Sequence, residues 1–396
     1  MKELNIIITA QCENIVPAVY GGAVETLITM LLEENEKQGL CKFIIFCSYD
    51  AQAEKLSKKY KKAEFIFITQ RLLWRIYYKL KRFMIAGFLS SNVGLTTDYY
   101  RQIWAYIKRK KGHRNIDAFV LQEGEQVNGI KDFVKIFGVK TFYHSHLCEI
   151  PKYGSIWPNV IFVSEFCKKE WLSVPSKVQN ALVVPNGISL KNFVKQITDK
   201  EWHSIRHRVG LETKDIVLIY VGRIVPKKGV QELLQSLQLI NNKNVKLLIV
   251  GSSNFAKGRT TSYVKKCLEL AKRMSERVIF TGYISNDELY KYYKIADIQV
   301  IPSIGKEAAG LVAIEGMASG LPLVVTNSGG LVDYVDSKCA VIVDKTNNVA
   351  ENLAKGISTL REDSVLRKNM GAYGRERVKL FSQENYYQNF IKAIHQ

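Results

Sequence analysis

The sequence contains no C-x-x-C pair, no D-x-D triplet and no apolar run approaching the ~18 residues that cross a bilayer as a helix. Its seven cysteines, at 12, 41, 47, 148, 167, 267 and 339, are odd in number and scattered. That spacing argues against a disulfide framework or a zinc site, so reduced and mostly buried thiols are expected. Without a D-x-D, no carboxylate pair is evident to hold a divalent cation on a diphosphate. The opening MKELNIIITA has an apolar run only from Ile6 to Ala10 and no small-residue cleavage site, unlike a secretory signal. A chain made and kept in the cytoplasm is the resulting expectation.

Acid is also scarce. Lys and Arg number 57 against 37 Asp and Glu, a formal charge of +20. Much of the excess is local: Lys55 to Arg114 carries 16 Lys or Arg and only two acids, Glu64 and Asp98. Aromatic residues lie among these cations between Trp74 and Trp104, namely Tyr77, Tyr78, Phe83, Phe88, Tyr99 and Tyr100. Cations with aromatic anchors suit an anionic membrane surface, where each cation contributes about 1 kcal/mol. No RNA- or DNA-binding motif accompanies the stretch, so nucleic acid is not the expected partner. A merely solvated basic face is the plain alternative.

What is present is enough apolar residue, 47% of 396, to fill two cores of roughly 150–200 residues each. Strand patterns alternate with helical ones. Leu4–Thr9 is a short apolar strand pattern, followed by a loop ending in Tyr20-Gly21-Gly22 and then by Val24, Leu27, Ile28, Leu31 and Leu32 at helical spacing. Leu72, Leu73, Ile76, Tyr77 and Leu80 mark another helix face, and a further helix is expected near Tyr99 to Lys111. The turn signal Pro185-Asn186-Gly187 places a domain boundary near Phe193. From Ile216 onward the alternation repeats. It implies parallel sheets covered on both faces, hence an α/β chain of two doubly wound, Rossmann-like domains. Ligands of such sheets sit beyond the carboxyl ends of strands, so residues following strands are the ones to read for chemistry.

The segment from Pro302 to Gly330 reads PSIGKEAAGLVAIEGMASGLPLVVTNSGG. A strand ends at Pro302, Glu307 lies in the loop, Gly310 opens a helix and Glu315 sits one turn inside it. Free amides at Gly310, Leu311 and Val312 would form an anion site at the helix start. Ionised carboxylates accept hydrogen bonds only, so Glu307 and Glu315 suit sugar hydroxyls on either side of a bound phosphate. The plain alternative is a pair of carboxylates capping an ordinary helix. This segment resembles the E-x7-E motif of retaining glycosyltransferases of the GT-B fold, specifically glycosyltransferase family 4. The resemblance implies that Glu307 meets the donor sugar hydroxyls and Glu315 the ribose hydroxyls. Two positions depart from it: Ala309 stands where Phe is frequent, and Gly316 where Ala is usual.

A second constellation, Val221-Gly222-Arg223-Ile224-Val225-Pro226-Lys227-Lys228-Gly229, also follows a strand. Two cations in such a loop can neutralise a departing diphosphate. The stretch is similar to the GR…KG signature of the same family, which implies diphosphate contacts for Arg223 and Lys228. The resemblance further implies that positive side chains and the helix dipole replace a metal, so neither a cofactor nor a metal ion is expected. It gives Gly21 and Gly22 a place facing the donor diphosphate across an interdomain cleft. Ser285, after Thr281-Gly282-Tyr283, would lie where backbone nears the nucleobase.

The first domain offers Tyr143-His144-Ser145-His146 after a strand. His144 is a candidate polar contact to donor sugar or acceptor, with a surface or capping histidine as the alternative; no further ligands make the pair a metal site. Many family members carry a His after the preceding strand, where this chain has Gln122. Glu123 and Glu125 read as solvated loop acids, with an acceptor-side role as the other possibility. Taken together, the resemblance implies a retaining, metal-independent hexosyltransferase. It would use a nucleotide-sugar donor, a UDP-sugar foremost, and a lipid-linked or glycan acceptor at the inner face of the cell membrane. Residues 1–193 with a returning terminal helix, 381–396, would bind acceptor and 194–380 would bind donor. A disaccharide synthase or phosphorylase with a soluble acceptor, or a silent binding protein of the same fold, are the alternatives.

Overall fold

The computed structural model describes residues 3–69, 93–110, 115–123, 130–151, 154–252 and 261–395. The expected helix from Leu72 to Leu80, the cations from Arg71 to Arg82, and Glu125 lie outside the described residues. The chain divides into two compact units, Met1–Gly187 with Gln383–Gln396, and Ile188–Ser382.

The first unit is built on seven parallel strands: β1 (Leu4–Thr9), β2 (Cys41–Ser48), β3 (Ala63–Ile68), β4 (Ala118–Gln122), β5 (Thr141–Ser145), β6 (Asn159–Phe162) and β7 (Asn180–Val183). Their order is β3-β2-β1-β4-β5-β6-β7, so the chain reverses its direction of travel across the sheet between β1 and β4. Every residue of β4 and β5 is buried, as expected where helices cover both faces of a parallel sheet. The helix Ala23–Gln38 presents Leu27, Ile28, Leu31 and Leu32 to that core and ends on Gly39, whose φ of 69° supplies the left-handed cap. The terminal helix Gln383–His395 returns to this unit. Tyr386, Tyr387, Phe390 and Ile394 are buried with residues of the first helix, and Tyr387 Oη lies 2.6 Å from Asn35 Oδ1.

The second unit has six parallel strands, β8 (Ile216–Val221), β9 (Val245–Val250), β10 (Val278–Gly282), β11 (Ile298–Ile301), β12 (Leu323–Thr326) and β13 (Ala340–Val343). Their order, β10-β9-β8-β11-β12-β13, places the reversal between β8 and β11. Val217 and Ile219 face one core with Ile314 and Met317; Leu218 and Tyr220 face the other with Leu233 and Leu353. Period-two alternation along β8 thus fills both faces. Ile188 and Phe193 are buried in the former core, and Ile188 N–H donates to Phe381 O at 2.9 Å. The division therefore falls after Gly187 and not near Phe193, because the segment past the turn packs on the second unit.

A further expectation is overturned. In the helix Val93–Lys110, Tyr99 and Tyr100 are each only 2% exposed. Tyr99 Oη lies 3.0 Å from the carbonyl oxygens of Ala10 and Phe46, and the rings of Tyr100 and Trp104 pack edge-on against Phe133. Helical periodicity puts these aromatics on the core face and Arg101, Lys108 and Arg109 on the exposed one. They are core residues and not membrane anchors.

Candidate functional site

In the second unit the loops leaving β8 and β11 meet where the strand order reverses. Gly229 makes the meeting possible: it has a φ of 69°, and a Cβ there would stand 1.8 Å from Pro302 O. Beside it, the N–H groups of Ile304 and Gly305 both donate to Lys227 O, at 3.1 and 2.9 Å. A Cβ on Gly251, after β9, would likewise strike Gly222 O at 2.0 Å. Three strand ends are thereby locked backbone to backbone, which carries Lys228 to Glu307. Lys228 Nζ lies 2.7 Å from Glu307 Oε1 and 3.0 Å from Oε2.

This pair is held from behind. Ser303 Oγ donates to Glu307 Oε1 at 2.6 Å, Thr326 Oγ1 donates to Ser303 O at 2.6 Å, and Gly330 N–H donates to Glu307 O at 2.7 Å. The side chains of Lys228 and Glu307 keep 23% and 16% of their surface, so the pair stays open to a ligand. Arg223 is exposed in the same loop, with its carbonyl accepting from Tyr220 Oη at 2.7 Å.

The helix Leu311–Ser319 begins at Gly310 and ends on the left-handed Gly320. Ala313 and Ile314 are the first to donate into it, both to Gly310 O, which leaves the amides of Gly310, Leu311 and Val312 ahead of the ladder. Glu315, one turn in, accepts from Tyr293 Oη at 2.8 Å. Burial pushes its carboxyl up to about 7, a rise the Tyr293 hydrogen bond opposes. Gln299, fully buried in β11, donates to Val312 O at 2.9 Å and lies 3.4 Å from Tyr293 Oη. It also accounts for Gly316: a Cβ there would be 1.7 Å from Gln299 Oε1. Ser285 precedes the helix Asn286–Lys294 without capping it by its side chain. It belongs to the loop after β10, whose Gly282 accepts from Gly251 N–H at 2.9 Å.

In the first unit, Gly21 has a φ of 79° and Gly22 caps the helix Ala23–Gln38. They line a cavity of ≈ 190 Å³ with Glu13, Ile15, Val19, Tyr20 and Glu25. Glu25 folds back over the helix start, where a Cβ on Gly22 would meet its Oε2 at 1.9 Å, and burial raises its pKa. At the ends of β4 and β5, His146 Nε2 lies 2.7 Å from Gln122 Oε1, and His146 N–H donates to Glu123 Oε2. Glu123 is buried rather than solvated, contrary to the sequence expectation, and desolvation raises it to about 7. His144 is neither a surface nor a capping residue. It is fully buried, 4.1 Å ring to ring from His146, with no hydrogen-bond partner on either ring nitrogen. Burial holds it neutral.

Sequence reading missed Ser303, Tyr293, Gln299 and Thr326. Ser303 follows a strand end and was findable by that rule; Tyr293 and Gln299 sit inside ordinary helix and strand patterns.

Residues 203–377 match the family model for glycosyl transferases group 1. The match lies within the second unit, Ile188–Ser382. The chain is 34% identical to an uncharacterized glycosyltransferase of Methanocaldococcus jannaschii, over 44% of each chain. It is 30% identical to a lipopolysaccharide 1,2-N-acetylglucosaminetransferase of Salmonella typhimurium, over 50% of this chain and 51% of that one. It thus spans about half the length of these relatives. A longer match, over 70% of this chain and 73% of the relative at 29% identity, is with the capsular polysaccharide biosynthesis glycosyltransferase CapM of Staphylococcus aureus. Among solved structures, HepE of Anabaena in complex with UDP superposes with a TM-score of 0.73 and 16% identity, covering 99% of this chain and 100% of that one. Both units have the parallel-sheet, Rossmann-like build of GT-B glycosyltransferase structures. Among the described residues, no cluster of three or more His, Cys, Asp or Glu is placed to hold a metal ion, and no helix is long and apolar enough to cross a membrane.

Proposed function

We propose that this chain is a retaining glycosyltransferase of family 4 that moves a hexose-type sugar from a nucleotide diphosphate, without a metal, to a membrane-associated glycan or lipid-linked acceptor. The observation that carries the reading is the Lys228–Glu307 pair, held partly open beside the free amides of Gly310, Leu311 and Val312. An incoming donor diphosphate draws Lys228 toward itself and leaves Glu307 to accept from sugar hydroxyls. Arg223 supplies a second cation for the charge that develops on the leaving group. Glu315 accepts from the ribose, and Ser285 lies at the nucleobase.

A UDP-sugar is the first donor to test, since HepE was solved with UDP and with UDP-glucose; relatives that use GDP-mannose make GDP-sugars the second. Gly21 and Gly22 count among the ligand-binding residues of the first unit in this reading. We assign the polar contact of the first unit to His144, whose two ring nitrogens have no hydrogen-bond partner. The lipopolysaccharide and capsule enzymes among the relatives favour an envelope glycan as acceptor, and the basic stretch Lys55–Arg114 favours work at the cytoplasmic face of the membrane.

The test is a screen of UDP- and GDP-sugars scored by release of nucleoside diphosphate, with product anomeric configuration read by NMR. Lys228→Ala and Glu307→Ala should each lower kcat/KM at least roughly a hundredfold, the scale of losing one preorganised charge contact. Rates within about twofold of the parent in both variants would remove the assignment.

A further inference from the structure

We infer that Cys148 and Cys167 form a reversible, intramolecular disulfide that ties the segment leaving β5 to the helix Glu165–Leu172. The sulfur atoms lie 2.7 Å apart, well inside the ordinary contact distance of two thiols. That separation is less than an ångström beyond a covalent S–S bond. They come together from positions 19 residues apart, one just past Tyr143-His144-Ser145-His146 and one in the first turn of a helix. Spacing alone gave no hint of the pairing.

The two thiols differ in access. Cys167 is 1% exposed, and its N–H is held by Ser164 Oγ at 3.2 Å. Cys148 is half-buried and is the more accessible of the two. A metal explanation lacks ligands, since no third His, Cys, Asp or Glu joins the pair among the described residues.

The oxidant required is a low-molecular-weight disulfide. The Cys148 thiolate attacks one of its sulfurs, forming a mixed disulfide and expelling one thiolate. Cys167, deprotonated, then attacks the Cys148 sulfur and expels the second. Two protein thiols are oxidised, one external disulfide is reduced to two thiols, and the two protons released from cysteine end on those leaving groups. The geometry makes the second step fast, because the resolving sulfur is already in contact with its target.

The experiment uses the full chain, oxidised glutathione as the probe, and intact mass with peptide mapping as the readout. The parent protein should lose the mass of two hydrogens in a Cys148–Cys167 cross-link that dithiothreitol reverses. Its unfolding midpoint should rise on oxidation, since the cross-link closes a loop in the unfolded chain. Cys167→Ser should stop at a stable glutathione adduct on Cys148. Cys148→Ser should carry no adduct at Cys167, which is enclosed. The inference is overturned if the folded parent also stops at the glutathione adduct, or if neither cysteine reacts at a redox poise that modifies Cys12. Neither readout depends on sugar transfer, so its failure is separate from failure of the proposed activity.

Discussion

Gly316 and Gln299 occupy each other's space: a Cβ on Gly316 would lie 1.7 Å from Gln299 Oε1. Gln299 cannot simply retreat. It is fully buried and donates to Val312 O at 2.9 Å in the first turn of the helix that carries Glu315. Gly316→Ala should therefore destabilise the second unit by about 1–3 kcal/mol, the usual cost of overpacking. Introduced into Gln299→Ala, the same change should cost under about 1 kcal/mol, the two positions being directly coupled. Chemical denaturation of the four proteins of the cycle measures this. Equal costs in both backgrounds would show that the two residues do not constrain each other.

That pair also marks the limit of what was legible in the sequence. Glu307, Arg223 and Lys228 follow strands, where polar residues are not needed for packing, so their chemistry stood out; Glu315 lies inside a helix and stood out only as part of the E-x7-E pattern. Gly316 stood out only as a departure from a family pattern; its reason is a contact with β11 that no spacing reveals. Glu123 was misread because a carboxylate in a loop is ordinarily solvated, whereas here the loop folds the His146 amide onto it. Tyr99 and Tyr100 were misread because composition cannot tell which face of a helix turns inward. The two sheets followed from the alternation of strands and helices, but their strand order required the structure.

Glu315 gives the second prediction. Burial raises its carboxyl to about 7, against a usual value of 4.5. Between those values the folded domain keeps a proton that the unfolded chain has released, so this group lowers stability progressively as pH rises from about 4.5 to 7. The total is up to about 3 kcal/mol, reached above the folded value. The stability difference between Glu315→Gln and the parent should thus grow in favour of the variant over that window. Donor affinity should move the other way: the ionised carboxylate accepts from a ribose, so the donor KM of the parent should fall as pH rises through 7. A parent and variant with parallel stability profiles would show that Glu315 does not carry this proton.

His144 supplies the third. Its ring is enclosed, neutral and without hydrogen bonds, and its nearest described ring partners are His146 and Phe390. A histidine whose pKa is depressed on folding contributes stability that is lost as pH falls below its unfolded value of 6.5. His144→Phe keeps the ring and removes both nitrogens, so it should hold the unfolding midpoint at pH 7 and soften its decline toward pH 5. The same variant should lower kcat/KM for transfer about tenfold or more if the nitrogens meet the substrate. Unchanged kinetics beside the altered pH profile would leave His144 as a core residue alone and remove it from the proposed site.

The basic stretch gives the last prediction, which rests on cations and no longer on Tyr99 and Tyr100. Among the described residues, Lys55, Lys58 and Lys61 are exposed, in the helix Ala51–Ser57 and between it and β3. Lys59 is partly engaged by Glu33 at 3.4 Å, so it contributes less. An anionic surface gains about 1 kcal/mol from each nearby cation. Replacing Lys55, Lys58 and Lys61 together by Gln should then weaken binding to phosphatidylserine vesicles roughly a hundredfold at low salt. For the parent, raising ionic strength toward 1 M shrinks the screening length to about 3 Å and should release the protein. Binding that persists at high salt would mean that an apolar insertion holds it, and no binding at low salt would remove the membrane from the proposed function.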